Sequence, residues 1–487
     1  MAQAARLWMI ILFLLPFASS VTELPAAEKP NFLFLFADDQ RDDSIAAYDN
    51  PHIKTPSIDS IVERGFSFKR AYCMGSMHGA VCQPSRAMLM SGRTLYHVDL
   101  QLKKEPLMPE TLGKGGYATF GTGKWHNGQE SFKRAFDYGE NVFFGGMSNH
   151  TQVPLKDVAR DGTVTDKGTE NGFSSELFAD AAINFLNSAP EDKPFFAYVS
   201  FTSPHDPRQP PKDYAEMYYQ NLPPLPGNFM PQHPFFNGWM TGRDESLAGW
   251  PRTPDVVQQQ LAEYYGMITH MDVQIGRILA ALEETGRADN TYIIYTADHG
   301  LAVGSHGLLG KQSVYEHSMG TPLIIAGPGI EKDSSDALVY LLDLFPTVTD
   351  LAGVETPESV EGKSLVPIIE SEQESVRETL YTTYETYMRG LTDGRWKLIR
   401  YPHINYTQLF DLQNDPLELH NLAGNFDQID RVNRMMAELK EWQKKTDDKT
   451  PLTSENPVSA EIDLTGRKRN PDRHQPKWII EKYFGND

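Results

Sequence analysis

Four polar clusters in this chain each follow an apolar run: Asp38-Asp39, Lys124-Trp125-His126, His205-Asp206 and Asp298-His299-Gly300. A fifth begins at Cys82, in the run Cys82-Gln83-Pro84-Ser85-Arg86. Asp38, Asp39 and Asp298 supply three hard oxygen ligands, a set suited to Ca²⁺ and less to Mg²⁺. Without a cation such a cluster repels itself and raises at least one pKa. Asp38-Asp39 by itself reads equally as an Asp-rich turn, and the other clusters give it a further meaning. Arg86, Lys124 and Lys311 offer cations to an oxyanion, and each alone could be an ordinary surface charge. Lys311 follows the glycine-rich loop 300–310 and could close over an anion. His205 lies in Ser203-Pro204-His205-Asp206-Pro207, where two prolines suggest a rigid extended loop aiming one imidazole at a leaving group. Lys124 and His126 share a face if the backbone there is extended.

Elements must bring these residues together. Phe32–Ala37, Tyr117–Gly121, Phe195–Phe201, Tyr292–Thr296 and Leu323–Ala326 read as strands buried on both faces. With helices between them they predict an α/β fold, a large and mostly parallel sheet flanked by helices. Every polar cluster lies just past the C-terminal end of a strand, where such sheets bind ligands. Cys82 should open a helix, since Pro84 suits a first turn and Ala87-Met88-Leu89-Met90 favours helix. Its free N–H groups would suit an oxyanion. A long helix spans Val257 to Leu282; His270 and Asp272 within it read as packing residues. Asn221–Thr253 reads as an ordered irregular loop anchored by Phe235, Phe236 and Trp239. Beyond Glu370, Tyr381–Tyr384, Trp396–Tyr401 and Gln408–Leu412 suggest an antiparallel sheet with a hairpin at Asp393-Gly394, and Ile429–Trp442 a helix. The tail after Lys449 is polar and is expected to wrap the surface.

Composition bounds the rest. The 487 residues suit one large domain and a smaller one, with boundaries at 28–370 and 371–487. Residues 1–27 read as a secretory signal: Arg6 precedes the apolar run Leu7–Leu15, too short to span a bilayer, with cleavage near 20 or 27. A retained membrane anchor is the weaker alternative. Signal cleavage would leave no membrane partner and a periplasmic or secreted protein. A net charge of −20 argues against nucleic acid and anionic membranes, so any anion site must be built from local cations. The 2 cysteines could pair, but Cys82 chemistry would leave Cys73 free and no structural disulfide. Cys82 could also be merely a small buried thiol at a helix start.

The Cys82-Gln83-Pro84-Ser85-Arg86 pentad, followed by Ser91-Gly92-Arg93, resembles the maturation signal of the type I sulfatases of the alkaline phosphatase superfamily. With the Asp-Asp, Gly-Lys-Trp-His, Asp-His-Gly and late-Lys segments, the likeness runs from about Lys29 to Leu422. It implies that Cys82 is oxidised by a formylglycine-generating maturation enzyme to an aldehyde. It implies Ca²⁺ ligands at Asp38, Asp39, Asp298, His299 and modified Cys82. Arg86, Lys124 and His126 would position formylglycine, and Lys124, His205 and Lys311 would bind sulfate, with His205 the acid. One hydroxyl of the hydrated aldehyde would attack sulfur, and the other, deprotonated with help from His126, would expel sulfate and restore the aldehyde. Many relatives carry Asn or Gln where His299 stands, and iduronate-type sulfatases carry His. His299 is thus either a metal ligand or a sulfate donor. Candidates for the substrate rim are Met77, His78, Arg208, Gln209, the Asn221–Thr253 loop, Tyr384 and Arg389. Aromatics and polar groups on a rim suit a sulfated oligosaccharide. A choline or aryl sulfate, a phosphodiester or phosphonate monoester, and a non-catalytic glycan-binding role remain as alternatives.

Overall fold

A computed structural model of the protein describes residues 29–169 and 172–485. The predicted signal segment lies outside them. Among the described residues no helix is long and apolar enough to cross a membrane.

The first strand, Asn31–Asp38, is buried along its whole length. Phe32, Phe34 and Phe36 enter one core; Leu33, Leu35 and Ala37 enter another on the opposite face. This period of two, apolar on both faces, makes it a central strand. Its neighbours are Thr291–Ala297 and Phe195–Pro204, both parallel to it. Ala118–Lys124 and Tyr138–Phe143 extend the parallel set. The expected parallel sheet is therefore present as five central strands. The whole sheet of ten strands is mixed, because Leu323–Ala326, Gly65–Phe68, Pro154–Val158 and Val164–Thr169 each join by an antiparallel pairing.

Helices cover both faces. Pro254–Glu284 and Ser174–Ser188 pack over Leu33 and Leu35, while Cys82–Ser91 lies over the phenylalanines. The long helix starts where Thr253 Oγ1 accepts from the Val256 N–H at 3.4 Å. Asp272, buried on that helix, accepts from the Ser57 and Ile58 N–H groups at 3.0 and 2.8 Å, so it caps the short helix Pro56–Val62. His270 stands edge-on to Phe173 and reaches Glu176 at 3.0 Å. Both are packing residues.

The C-terminal region forms an antiparallel sheet of Leu380–Tyr384, Met388–Thr392, Trp396–Tyr401 and Tyr406–Asp411, with the helix Ile429–Lys445 across it. Its fifth strand is Gly75–Ser76, from just before Cys82. Gly75 has φ 121°, and a Cβ there would stand 1.7 Å from the Thr383 carbonyl oxygen, so only glycine permits this seam. The Asn221–Thr253 stretch is ordered as expected, with Phe235 packed on Tyr401 and Tyr406 at 4.9 and 4.7 Å.

Replacing Asp272 with Ala should lower stability by about 1–2 kcal/mol, the usual cost of a lost cap. Urea unfolding would show it as a lower midpoint with unchanged slope, and catalytic turnover should stay within two-fold.

Candidate active site

The strands Thr291–Ala297, Asn31–Asp38, Phe195–Pro204 and Ala118–Lys124 are consecutive neighbours in the sheet. At the usual strand spacing their ends span about 15 Å. Asp298, Asp38, His205 and Lys124 thus meet in one crevice although they are far apart in sequence. Alternation would send adjacent residues to opposite faces, and positive φ breaks it where needed. Asp39 has φ 69°, directly after Asp38, and His126 has φ 70°. The reading of Lys124 and His126 as an extended pair is corrected accordingly, since Lys124 ends its strand and the chain then turns.

The helix Cys82–Ser91 enters the same crevice by its N-terminus, as expected. Cys82, Ser85 and Arg86 fall on one face by their three- and four-residue spacing. The Ser85 hydroxyl donates to the Asp298 carbonyl at 2.7 Å. Arg86 is 1% exposed, yet every side of its guanidinium is used. It donates from Nε and Nη2 to Asp298 Oδ2 at 3.2 Å each, and from Nη1 to the Lys124 carbonyl at 2.8 Å and to Ser200 Oγ at 2.5 Å. Asp38 Oδ1 lies 3.8 Å from Nη2.

Cys82 Sγ is 3.8 Å from Asp39 Oδ1, 3.4 Å from His299 Nε2 and 3.5 Å from Lys311 Nζ. Lys311 Nζ also meets both Asp39 oxygens at 2.8 and 2.9 Å and His205 Nε2 at 2.9 Å. Lys124 Nζ donates to Asp38 Oδ2 at 2.5 Å. His205 Nδ1 donates to the Asp206 carbonyl at 2.7 Å, and the His205 carbonyl accepts from His150 Nε2 at 2.8 Å. His299 Nδ1 is held by the Gly300 carbonyl at 2.9 Å, which leaves Nε2 facing the sulfur. His126 Nδ1 is buried without a partner. Both cysteines are free and buried.

Burial sets the electrostatics. It pushes Asp39 up to about 6 despite Lys311 and His299. It also pushes Asp298 up, but His299, Arg86 and Lys124 outweigh it and hold that carboxylate below the usual range. Burial first, then Lys311, keeps His205 well below an ordinary imidazole; burial, Lys124 and Arg86 do the same for His126. The Cys82 thiol is driven well above its usual value by burial, against the pull of Lys124 and Lys311. A neutral thiol is a poor nucleophile.

The donor set tests for a metal. Asp38, Asp39, Cys82 and His205 offer atoms all within 4.8 Å of one another, as do Cys82, Asp298 and His299. Asp38 Oδ1 is buried and makes no hydrogen bond. A carboxylate-rich cradle with an orphaned oxygen fits a hard divalent cation.

The expected rim residues part company. His78 is half-buried and its Nδ1 accepts from the Ala80 N–H at 3.2 Å. Gln209 is bound to Asn149 at 3.0 Å. Two expectations are corrected by burial. Arg208 is 4% exposed and turns to Gln260, and Arg389 is wholly buried against Asp448 at 2.6 Å and backbone carbonyls. Tyr384 is wholly buried too, edge-on to Trp239, with no partner for its hydroxyl. Sequence reasoning missed Ser200, Arg243, Asp244 and Gln312. Asp244 lies 4.0 Å from Lys311 Nζ and accepts from Gln312 at 2.7 Å. Arg243 and Asp244 sit in the irregular loop, where no periodicity marks a residue's direction.

The sulfatase family matches residues 30–354, and the C-terminal region of N-sulphoglucosamine sulphohydrolase matches residues 304–445. The chain belongs to the sulfatase family, type I, of the alkaline phosphatase superfamily. It is a sulfuric ester hydrolase. It is 26% identical to an N-acetylglucosamine-6-O-sulfatase of Bacteroides thetaiotaomicron, over 87% of this chain and 88% of that one. It is 29% identical to an arylsulfatase of Clostridium perfringens, over 83% and 92%. A structure in complex with its substrate D-glucosamine-2-N,6-O-disulfate shares the fold with TM-score 0.75 at 24% identity, over 88% of this chain and 100% of the other. A phosphonate monoester hydrolase of Silicibacter pomeroyi shares it with TM-score 0.68 at 24% identity, over 87% and 96%.

Arg86→Met should destabilise the fold by about 3–5 kcal/mol, since it strands Asp298 and a carbonyl in the interior. Chemical denaturation of the purified variant would measure it.

Proposed function

We propose that this sulfatase removes sulfate from a sulfated carbohydrate, using formylglycine formed from Cys82 and a bound Ca²⁺. The observation that carries the reading is the position of the Cys82 sulfur, within 3.8 Å of Asp39, His299 and Lys311 and at a helix N-terminus. Its buried, neutral thiol supports conversion to another nucleophile. The N-terminal apolar run supports export to the periplasm or beyond, and conversion requires a maturation enzyme as partner. The carbohydrate assignment draws on the glucosamine-directed relatives.

Asp38, Asp39, Asp298 and His299, with residue 82, are the residues that would hold the cation. When present, the cation would supply Lewis-acid charge at the sulfate oxygens and the hydrated aldehyde an oxygen nucleophile. The chain does the rest. Arg86 fixes the turn of helix that carries residue 82 against Asp298 and Lys124. Lys124 and Lys311 present ammonium groups to the anion, and burial makes each worth more than it would be in water. His205 keeps Nδ1 on the Asp206 carbonyl, so Nε2, which accepts from Lys311 at 2.9 Å, is turned toward the departing oxygen. His126, with Nδ1 unpartnered, accepts the proton at residue 82 in the second half of the cycle. His78 and Gln209 are assigned to the wall that meets the leaving group.

Cys82→Ala should cut turnover by at least about 10³-fold with an unchanged thermal midpoint. Peptide mass spectrometry of wild-type enzyme should find the Cys82 peptide lighter, with the thiol sulfur replaced by a carbonyl oxygen. An unmodified peptide in fully active enzyme would refute the assignment. EDTA should lower the thermal midpoint and abolish activity, and Ca²⁺ should restore both. In a panel of sulfated oligosaccharides, choline sulfate, aryl sulfates and phosphonate monoesters, the oligosaccharides should give the highest kcat/KM.

A further inference from the structure

His205 is succeeded by a residue whose side chain is gripped from far along the chain. Asp206 is 4% exposed, and its Oδ1 lies 3.3 Å from His205 Nδ1. Arg243 takes both oxygens, Nη1 to Oδ2 at 2.7 Å and Nη2 to Oδ1 at 3.0 Å. Gln475 Nε2, from the C-terminal segment, donates to Oδ2 at 3.1 Å and to Asp472 Oδ2 at 3.1 Å. Asp472 Oδ2 also stands 3.6 Å from Arg243 Nη1. Two segments therefore close on one carboxylate beside the imidazole.

The grip is backed by packing. The helix Lys477–Tyr483 follows Gln475 and buries Ile479 and Tyr483 against Leu247, Ala248 and Leu309. Tyr483 Oη and Lys482 Nζ meet Glu263 Oε1 at 2.7 and 2.8 Å. The pocket between Asp206 and this helix has a volume of about 10 Å³, room for one water at most. Asp206 cannot swing away without displacing either Arg243 or the helix. The His205 Nδ1–H donates to the Asp206 carbonyl at 2.7 Å, so a residue 206 held in place holds the imidazole with Nε2 toward the crevice.

We propose that the C-terminal segment is a positioning device for leaving-group protonation, with Gln475 directly, and Asp472 through Arg243, holding the Asp206 that aims His205. This rests on the reading of His205 as proton donor. Gln475 and Asp472 touch no reacting atom and are positioning residues.

Leaving-group dependence tests it in the full-length, matured enzyme. An activated nitrophenyl sulfate departs without a proton, whereas an alkyl or sugar sulfate needs one. Gln475→Ala and Asp472→Asn should each lower kcat on the sugar sulfate by roughly 10-fold, a part of the 10²–10⁴ that acid catalysis contributes. On the nitrophenyl ester kcat should stay within about two-fold of wild type, as should KM for both esters. Asp472, on the surface side of the cluster, provides a variant that folds if Gln475→Ala does not. His205→Ala is the reference. If it lowers both esters equally, the proton-donor reading fails and takes the inference with it. If it spares the activated ester while the tail variants lower both equally, or neither, the inference alone is overturned.

Discussion

Arg86 holds this active site together. Its buried guanidinium reaches Asp298 after one strand, Ser200 on another, the Lys124 carbonyl at the end of a third and the vicinity of Asp38 at the end of a fourth. A cation so deep is costly to desolvate, and it is stable there only because each of its three nitrogens finds an oxygen and two carboxylates answer its charge. Those same contacts fix how far apart the strand ends lie. Since Arg86 is one helical turn from Cys82, they also fix the Cys82 side chain. The distances from Cys82 to Asp39, His299 and Lys311 are in this sense consequences of one side chain.

The crevice differs from the molecule as a whole. The chain carries −20 overall, while Arg86, Lys124 and Lys311 offset three carboxylates in a buried volume. At long range the surface repels a sulfated ligand, and only inside the crevice do cations match the acids in number. Affinity therefore depends on close contact, which screening by salt affects little within the buried site. A divalent ion among Asp38, Asp39 and Asp298 would tip the balance further, and the unpartnered Asp38 oxygen marks where charge is still wanted.

Much of this was legible beforehand. Phe32–Ala37 and Tyr292–Thr296 announce buried strands, and polar residues directly after such runs can only emerge at a sheet edge. The helix at Cys82 follows from Pro84 and the residues after it. What eluded reading has physical causes. Leu323–Ala326 and Gly65–Phe68 have the same apolar look as parallel strands, and Pro154–Val158 and Val164–Thr169 are too polar to announce a buried strand, so the mixed sheet was invisible. Arg208 is a rim candidate because it follows His205, and Arg389 because it lies in the C-terminal sheet, whereas each is buried beside Gln260 or Asp448. Arg243 and Gln475 meet at Asp206 from stretches without periodicity, and no local pattern could have joined them.

The seam between Gly75–Ser76 and Leu380–Tyr384 has a temporal meaning. A strand that lies a few residues before Cys82 waits for a partner translated some three hundred residues later. Until that partner arrives, the backbone leading into Cys82 lacks its final hydrogen bonds, and the sulfur need not yet be sealed at 2% exposure. Chain order thus leaves an interval during synthesis in which this seam is unmade, and folding of the C-terminal sheet ends it.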